Sequence, residues 1–389
     1  MGIIHTKVFI KGGYGPSNLG DDVLLLSAAS IISRVFPPAE ITIGVNNPNL
    51  AKKWIPDINF VEINHKTIIK SKILIYGGGG QFYSFPLTKR FKDISYYSNK
   101  LKSFFNGQIN LKKIINHIIW LLDSIRLKNN IQARYKAALS IGIGPFVPGS
   151  LEEKMTRDIL KNCDYISVRD FESKKWCNKF SIHHCKVFTD IGFLNELWNE
   201  KAGQLSFNSY VKNRIAFIIR SWPHEKSGNL YLESMLKAAR ILKRESIEVT
   251  FVVFDKLADN IIFPLLVGYK TLIYDPERYS PGAFIEMLSD TFDLVVSVRG
   301  HGIILPATFG IPGICVEIEP KLRNVHSMLP QGTLIWKPPF LEDELVGMIR
   351  EMILHIDRFR NNILKEVELN KAKMQEGVKD FLNWLKTVL

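Results

Sequence analysis

The sequence predicts an α/β fold: two doubly wound, Rossmann-like domains facing a central cleft. Three observations carry this. Short β-forming runs alternate with longer helix-compatible stretches along most of the 389 residues. The runs are almost continuously apolar, which marks strands of parallel sheets covered on both faces. The pattern also occurs twice, on either side of a polar stretch at 195–214 that lacks strand character.

The first half supplies KVFIKG, ITIGV, NFVEI, KILIYGGGG, ALSIGIG, YISVRD and KVFTDIGF. The second supplies RIAFIIRS, VTFVVFD, TLIYD, LVVSVRG and GICVEI. Helices are expected at 21–35, 151–162, 229–244 and 283–290, with long amphipathic helix over the tail. The expected division is 1–200, with a basic helical insertion at about 88–136, then 208–342, then C-terminal helices at 343–389 that turn back to brace the first domain.

Composition fits a folded protein with large cores: 46% of residues are hydrophobic and 23% charged. The net charge of +13 is uneven. Eleven lysines and arginines between Lys89 and Lys136 face only Asp93 and Asp123, so nine of the thirteen net charges fall there. Basic and amphipathic together, this segment suits either an anionic membrane surface or a helical insertion with a solvated basic face. No nucleic-acid module accompanies the charge, and nucleic acid is not an expected partner. The apolar run at the N-terminus is too short for a signal peptide, and no window reaches a spanning helix of roughly 18 apolar residues. Cys163, Cys177, Cys185 and Cys315 lack metal-ligand spacing and are read as reduced thiols of a cytoplasmic protein. No cofactor or metal is expected.

In doubly wound sheets ligands lie beyond the carboxyl ends of the strands, so the residues there are the candidates. The first strand ends in KGGYGPSNLGDD, where Asn18, Gly20 and Asp21 stand at a helix start. They either cap that helix or meet a ligand. The spacing is not the dinucleotide fingerprint, and no P-loop is present. LIYGGGGQF places Gly78, Gly79 and Gln81 after an apolar strand, where bare backbone can touch a ligand or merely turn. Arg169, Arg220 and Arg299 each end a strand, and Lys321 follows another. Four cations at one cleft suit a multiply charged anion, which guanidinium groups bind through paired hydrogen bonds. His301 lies two residues beyond Arg299, on the same side of an extended chain, with Gly300 leaving the space between them open. Its ordinary pKa makes it the natural proton-transfer group. No GxSxG element is present.

GYGPSNLGDD, IYGGGG, ISVRDFES, TDIGF and SVRGHGIILPATFGIPGICVEIEPK occur in this order over residues 8–322. In this the chain resembles polysaccharide pyruvyl transferases, and the resemblance implies a GT-B-like fold. The resemblance implies transfer of the enolpyruvyl unit of phosphoenolpyruvate to two hydroxyls of a sugar, the acceptor being a surface polysaccharide or its lipid-linked precursor. It implies a first domain on the acceptor side and a second on the donor side. Arg299, His301 and Arg169 match the family's donor-site positions. Gly300 stands where the family often has a larger residue, and the connection at 89–136 is longer than usual. The sequence also admits a nucleotide-sugar glycosyltransferase, with Glu317 or Glu319 on the ribose, and a non-enzymatic membrane-surface relative.

Overall fold

A computed structural model describes residues 2–15, 17–64, 67–84, 130–199, 213–222 and 227–389. Most of the basic insertion therefore lies outside the described residues.

Two parallel sheets organise the chain. The first contains β1 (Gly2–Lys11), β2 (Ile41–Gly44), β3 (Asn59–Val61), β4 (Thr67–Phe82), β5 (Ile131–Ile143), β6 (Tyr165–Val168) and β7 (Lys186–Val187). Their order is β3-β2-β1-β4-β5-β6-β7. The second contains β8 (Arg214–Ile219), β9 (Glu248–Val253), β10 (Lys270–Ile273), β11 (Leu294–Ser297), β12 (Gly313–Val316) and β13 (Thr333–Trp336), in the order β10-β9-β8-β11-β12-β13. Each sheet starts from an inner strand, winds outward one way, then returns and winds the other. The order reverses between β1 and β4 in one sheet and between β8 and β11 in the other. Those two switch points are where a doubly wound sheet opens a crevice.

Strand composition explains the burial. Val8, Phe9 and Ile10 of β1, and Ile215 to Ile219 of β8, have no exposed surface, because helices cover both faces. Helix α1 (Leu19–Ser33) is apolar on nearly every side, with Leu19, Val23, Leu24, Leu25, Ile31 and Ile32 all buried. A helix of that kind has no solvent face. It packs on the first sheet, and its first turn reaches the second domain: Leu19 N donates to Phe254 O at 3.1 Å, and Asn18 forms an antiparallel bridge with Asp255.

The remaining helices are α2 (Pro48–Trp54), α3 (Leu151–Lys161), α4 (Phe171–Lys179), α5 (Ser227–Arg244), α6 (Pro281–Thr291), α7 (His301–Ala307), α8 (Pro320–Met328), α9 (Glu342–Leu354) and α10 (Ile356–Thr387). Ser150, Asp170 and Ser280 cap α3, α4 and α6 through their side-chain oxygens. Helix α9 stays on the second domain, where Arg350 pairs with Glu245. Helix α10 has 32 residues, a length of roughly 48 Å at 1.5 Å per residue. It crosses to the first sheet, where Tyr165 stacks near Phe381 and Trp384 and Lys186 pairs with Asp380 at 2.7 Å.

The polar stretch read at 195–214 is in part a buried one. Asn195, Leu197 and Trp198 are buried, and a short 3-10 turn over Asn195–Leu197 lies against α1. The four cysteines are free and buried. Among the described residues no helix is long and apolar enough to cross a membrane.

Candidate active site

Strand register places the cations. In the second sheet Ser297 of β11 lies beside Ile218 of β8 at the switch point, and Arg299 and Arg220, each two residues further on, both reach the same cavity. In the first sheet Gly80 of β4 pairs with Gly142 of β5, and Arg169 N donates to Ile141 O at 3.1 Å. Gly80, Gly142 and Arg169 thus form a row across the strand ends. Glycine is required at 142: a Cβ there would sit 2.7–2.9 Å from the Arg169 guanidinium.

Between the two rows lies a cavity of about 330 Å³. Of the residues singled out in the sequence, Asn18, Gly20, Asp21, Arg169, Arg220, Arg299, Gly300, His301 and Lys321 line it. Three do not. Gly78 and Gly79 have φ of +49° and +79° and turn the chain over Leu24 of α1, so their open side faces packing. The Gln81 amide donates back to the carbonyls of Gly77 and Gly78 at 2.8 and 2.9 Å, closing the same turn. Gly80 is the member of the run that reaches the cavity.

The capping reading of Asn18 does not hold. Asn18 occupies the N-cap position of α1 but makes no side-chain capping bond. Its Nδ2 donates instead to Asp21 Oδ2 at 2.7 Å. Gly20 is needed for the histidine: a Cβ there would lie 2.3 Å from His301 Nδ1. The imidazole of the second domain therefore rests on the bare backbone of the first.

Each arginine is held by a carboxylate. Arg169 Nη1 donates to Asp190 Oδ2 at 2.9 Å, with Asp170 3.6 Å from Nε. Arg299 Nη2 donates to Asp259, and Arg220 Nη1 lies 3.4 Å from Glu319 Oε1. Arg220 also stacks on Trp222 at 4.6 Å. Asp190 serves twice, because its Oδ1 is 3.4 Å from His301 Nε2 and accepts from Gly192 N at 2.9 Å. Asp190 is 1% exposed, and burial alone would raise its pKa. The charges and bonds of His301, Arg169 and Gly192 N outweigh burial and hold the carboxyl well below the usual carboxylate range. Lys321 shows the opposite balance: burial and the neighbouring arginines bring its pKa down to about 8.

Sequence reasoning missed Asp190, Asp259 and Gly142 as parts of this site, and missed the aromatic wall of Tyr83 and Trp176. Asp190 had a signal, since TDIGF follows an apolar run as the arginine elements do. Asp259 lies in a loop beyond β9 and carried none.

The fold defines a class, a two-domain α/β architecture of the GT-B type. Solved structures share this architecture at low sequence identity. HepE from Anabaena in complex with UDP-glucose is 9% identical, with 98% of this chain and 99% of that one covered and a TM-score of 0.58. UDP-N-acetylglucosamine 2-epimerase from Rickettsia bellii is 11% identical, with 98% of both chains covered and a TM-score of 0.53. Sucrose-phosphate synthase from Thermosynechococcus elongatus is 11% identical, with 98% and 99% covered and a TM-score of 0.52. At such identities the likeness concerns fold. A comparison with curated proteins finds no match. A family model described as polysaccharide pyruvyl transferase matches residues 18–320, and the chain belongs to that family. The match begins beyond β1 and spans the second switch point and all three cavity arginines.

Proposed function

We propose that this transferase moves the enolpyruvyl unit of phosphoenolpyruvate onto two hydroxyls of a sugar, forming a pyruvate ketal. One observation carries the reading: a buried histidine, three carboxylate-held arginines and a lysine share one cleft between the domains. Phosphoenolpyruvate presents a phosphate and a carboxylate on a three-carbon frame. Arg169, Arg299 and Lys321 would hold those anions, with Arg220 beside them. Asn18 and Gly20 face them from the first domain, on the acceptor side.

The chemistry needs a proton at C3 of the donor as the sugar oxygen attacks C2. His301 Nε2 is engaged by Asp190, which leaves Nδ1, beside Gly20, as the exchanging nitrogen. His301 gives its proton to C3, and the imidazolium that precedes the transfer is stabilised by Asp190. Phosphate then leaves C2, and the second hydroxyl closes the ketal. Of the two hydroxyl protons released, one balances the proton placed on C3 and the other leaves with phosphate. The acceptor belongs to a surface polysaccharide or a lipid-linked precursor, the work is cytoplasmic, and the basic segment at 89–136 leans on an anionic membrane.

Sugar transfer from a nucleotide sugar is the second reading, and fold likeness to proteins solved with UDP-glucose favours it. Against it, the carboxylates that would take a ribose are already engaged, Glu319 by Arg220 and Glu317 by Arg323.

The test mixes protein, phosphoenolpyruvate and candidate glycans, and follows phosphate release and ketal mass. His301→Ala is expected to slow turnover about 10²–10⁴-fold in a folded protein. Arg299→Ala is expected to weaken donor binding by about 1.5–3 kcal/mol, the range for a charged hydrogen bond. Turnover with a nucleotide sugar and none with phosphoenolpyruvate would overturn the reading.

A further inference from the structure

Among the described residues six carboxylates border the cationic cleft, and four of them serve arginines. Asp190 and Asp170 hold Arg169, Asp259 holds Arg299 and Glu319 holds Arg220. Glu172 pairs with Lys175, and Asp21 is the sixth. Among the described residues no cation lies within ion-pair distance of it, although it lines the same cavity. Its Oδ2 is fixed by Asn18 Nδ2 at 2.7 Å. Its Oδ1 lies over glycine backbone, 3.8 Å from where a Gly79 Cβ would be and 3.9 Å from the corresponding point at Gly13. A carboxylate with one oxygen fixed and the other free of hydrogen bonds among the described residues is suited to exchange a proton rather than to hold a guanidinium.

The pyruvyl-transfer reading needs such a group. His301 supplies the proton to C3 and cannot, in the same step, receive the one from the attacking hydroxyl. Resting on that reading, we propose that Asp21 is the general base that takes the proton of the attacking sugar hydroxyl. The hydroxyl O–H bond breaks toward Asp21 Oδ1, and the oxygen pair forms the bond to C2. The C2–C3 π pair takes the proton from His301. Phosphate then departs with the C2–O pair, and the second hydroxyl adds with its proton leaving on phosphate. Asp21 returns its proton to His301 through solvent, so the enzyme ends as it began.

The electrostatic surroundings agree. Burial raises the Asp21 pKa, and His301 of α7, Lys321 of α8 and Arg299 beyond β11 pull it back. Asp255 beyond β9, Asp22 on its own helix and the phenols of Tyr14 and Tyr83 also face it. A carboxylate clamped by arginine is a weak base, and Asp21, with its raised pKa, is a stronger one.

The test compares wild type, Asp21→Asn and Asp21→Glu. Asp21→Asn is expected to lower kcat about 10²–10⁴-fold, with phosphoenolpyruvate affinity, measured directly, within about threefold of wild type. In wild type, kcat/KM rises with pH along an acid limb as Asp21 loses its proton, and that limb disappears in Asp21→Asn. Asp21→Glu, which keeps the carboxylate, recovers part of the rate. Retention of the rate by Asp21→Asn, or an unchanged acid limb, overturns the role. So does loss of rate and donor affinity together in a folded variant. If Asp21→Asn fails to fold, the wild-type limb and Asp21→Glu decide: no limb, or no activity in a folded Asp21→Glu, overturns it. Should wild type release no phosphate from phosphoenolpyruvate with any acceptor, the pyruvyl-transfer reading itself falls, and the base role with it.

Discussion

Replacing Asp190 should damage stability and activity together. Its carboxylate is 1% exposed and carries three partners: Arg169 at 2.9 Å, Gly192 N at 2.9 Å and His301 at 3.4 Å. Asp190→Ala leaves the buried guanidinium of Arg169 with Asp170 alone, 3.6 Å away. Removing one partner of a buried ion pair costs about 3–5 kcal/mol, mostly because the other charge stays buried. Asp190→Asn keeps an acceptor for Gly192 N and should cost less, about 1.5–3 kcal/mol. For a domain of 150–250 residues each kcal/mol moves Tm by roughly 2–4 °C, so Asp190→Ala should lower the melting point of the first domain by about 6–20 °C. The assay is thermal unfolding of wild type, Asp190→Ala, Arg169→Ala and the double variant at pH 7. The double variant should be less destabilised than the two single changes predict together, by at least about 1 kcal/mol. The pH sign follows from the shift. The folded pKa is depressed, so the contribution is full above the ordinary carboxylate range and is lost as pH falls through that range toward the folded value. Additive single variants, or a Tm loss under about 2 °C for Asp190→Ala, would refute the bridging role.

Gly20→Ala should leave the fold intact and displace the imidazole, since its Cβ would meet His301 Nδ1 at 2.3 Å. Turnover should fall at least about tenfold, and an unchanged rate would remove the Gly20 contact from the site. Lys321 has a pKa lowered to about 8 and should regain its proton when an anion arrives. Phosphoenolpyruvate binding at pH 8–9 should therefore take up a proton, read by calorimetry in buffers of different ionisation enthalpy, and affinity should fall as pH rises beyond that range. Zero proton uptake would place Lys321 away from the donor. Asp259→Asn should free the Arg299 guanidinium and weaken donor affinity about tenfold, while Asp259→Glu should retain more of it. Equal affinity in all three proteins would separate Arg299 from the donor.

Much of the frame was legible because it depends on local pattern. Parallel strands buried on both faces must be apolar throughout, and a polar residue at such a strand's end stands out. That is why Arg169, Arg220, Arg299 and His301 were legible in the sequence. The pairings with Asp190, Asp259 and Glu319 were not, because which residues meet across a tertiary fold leaves no local trace, even where, as at Asp190, the residue itself ends an apolar run. Asp190 is 21 positions from Arg169 and 111 from His301, Asp259 is 40 from Arg299, and Glu319 is 99 from Arg220. The glycine run shows a second limit. Sequence indicated a turn at Gly77 to Gly80 but not which side faced the cavity, and packing of Leu24 under Gly78 and Gly79 decided that only Gly80 does. The roles of Asn18 and Gly20 were open for the same reason, since capping or clearance depends on what the second domain brings against them.

The paired carboxylates also change how the cation count is to be understood. Four bare cations in one cleft would repel one another, and burying them unpaired would cost several kcal/mol each. The three guanidiniums are instead each tied at one edge to Asp190, Asp259 or Glu319, and the rest of each donor fork remains for a ligand. The carboxylates hold geometry more than they cancel attraction, because a guanidinium has five donors and each partner occupies one or two. Lys321 stands apart: among the described residues it forms no ion pair, and burial beside Arg169 and Arg220 lowers its pKa and disfavours its charge. A dianionic donor would reverse that penalty at Lys321 while completing the donor forks of the arginines. Donor binding should therefore be most sensitive to pH through Lys321 and most sensitive to mutation through the arginine–carboxylate pairs.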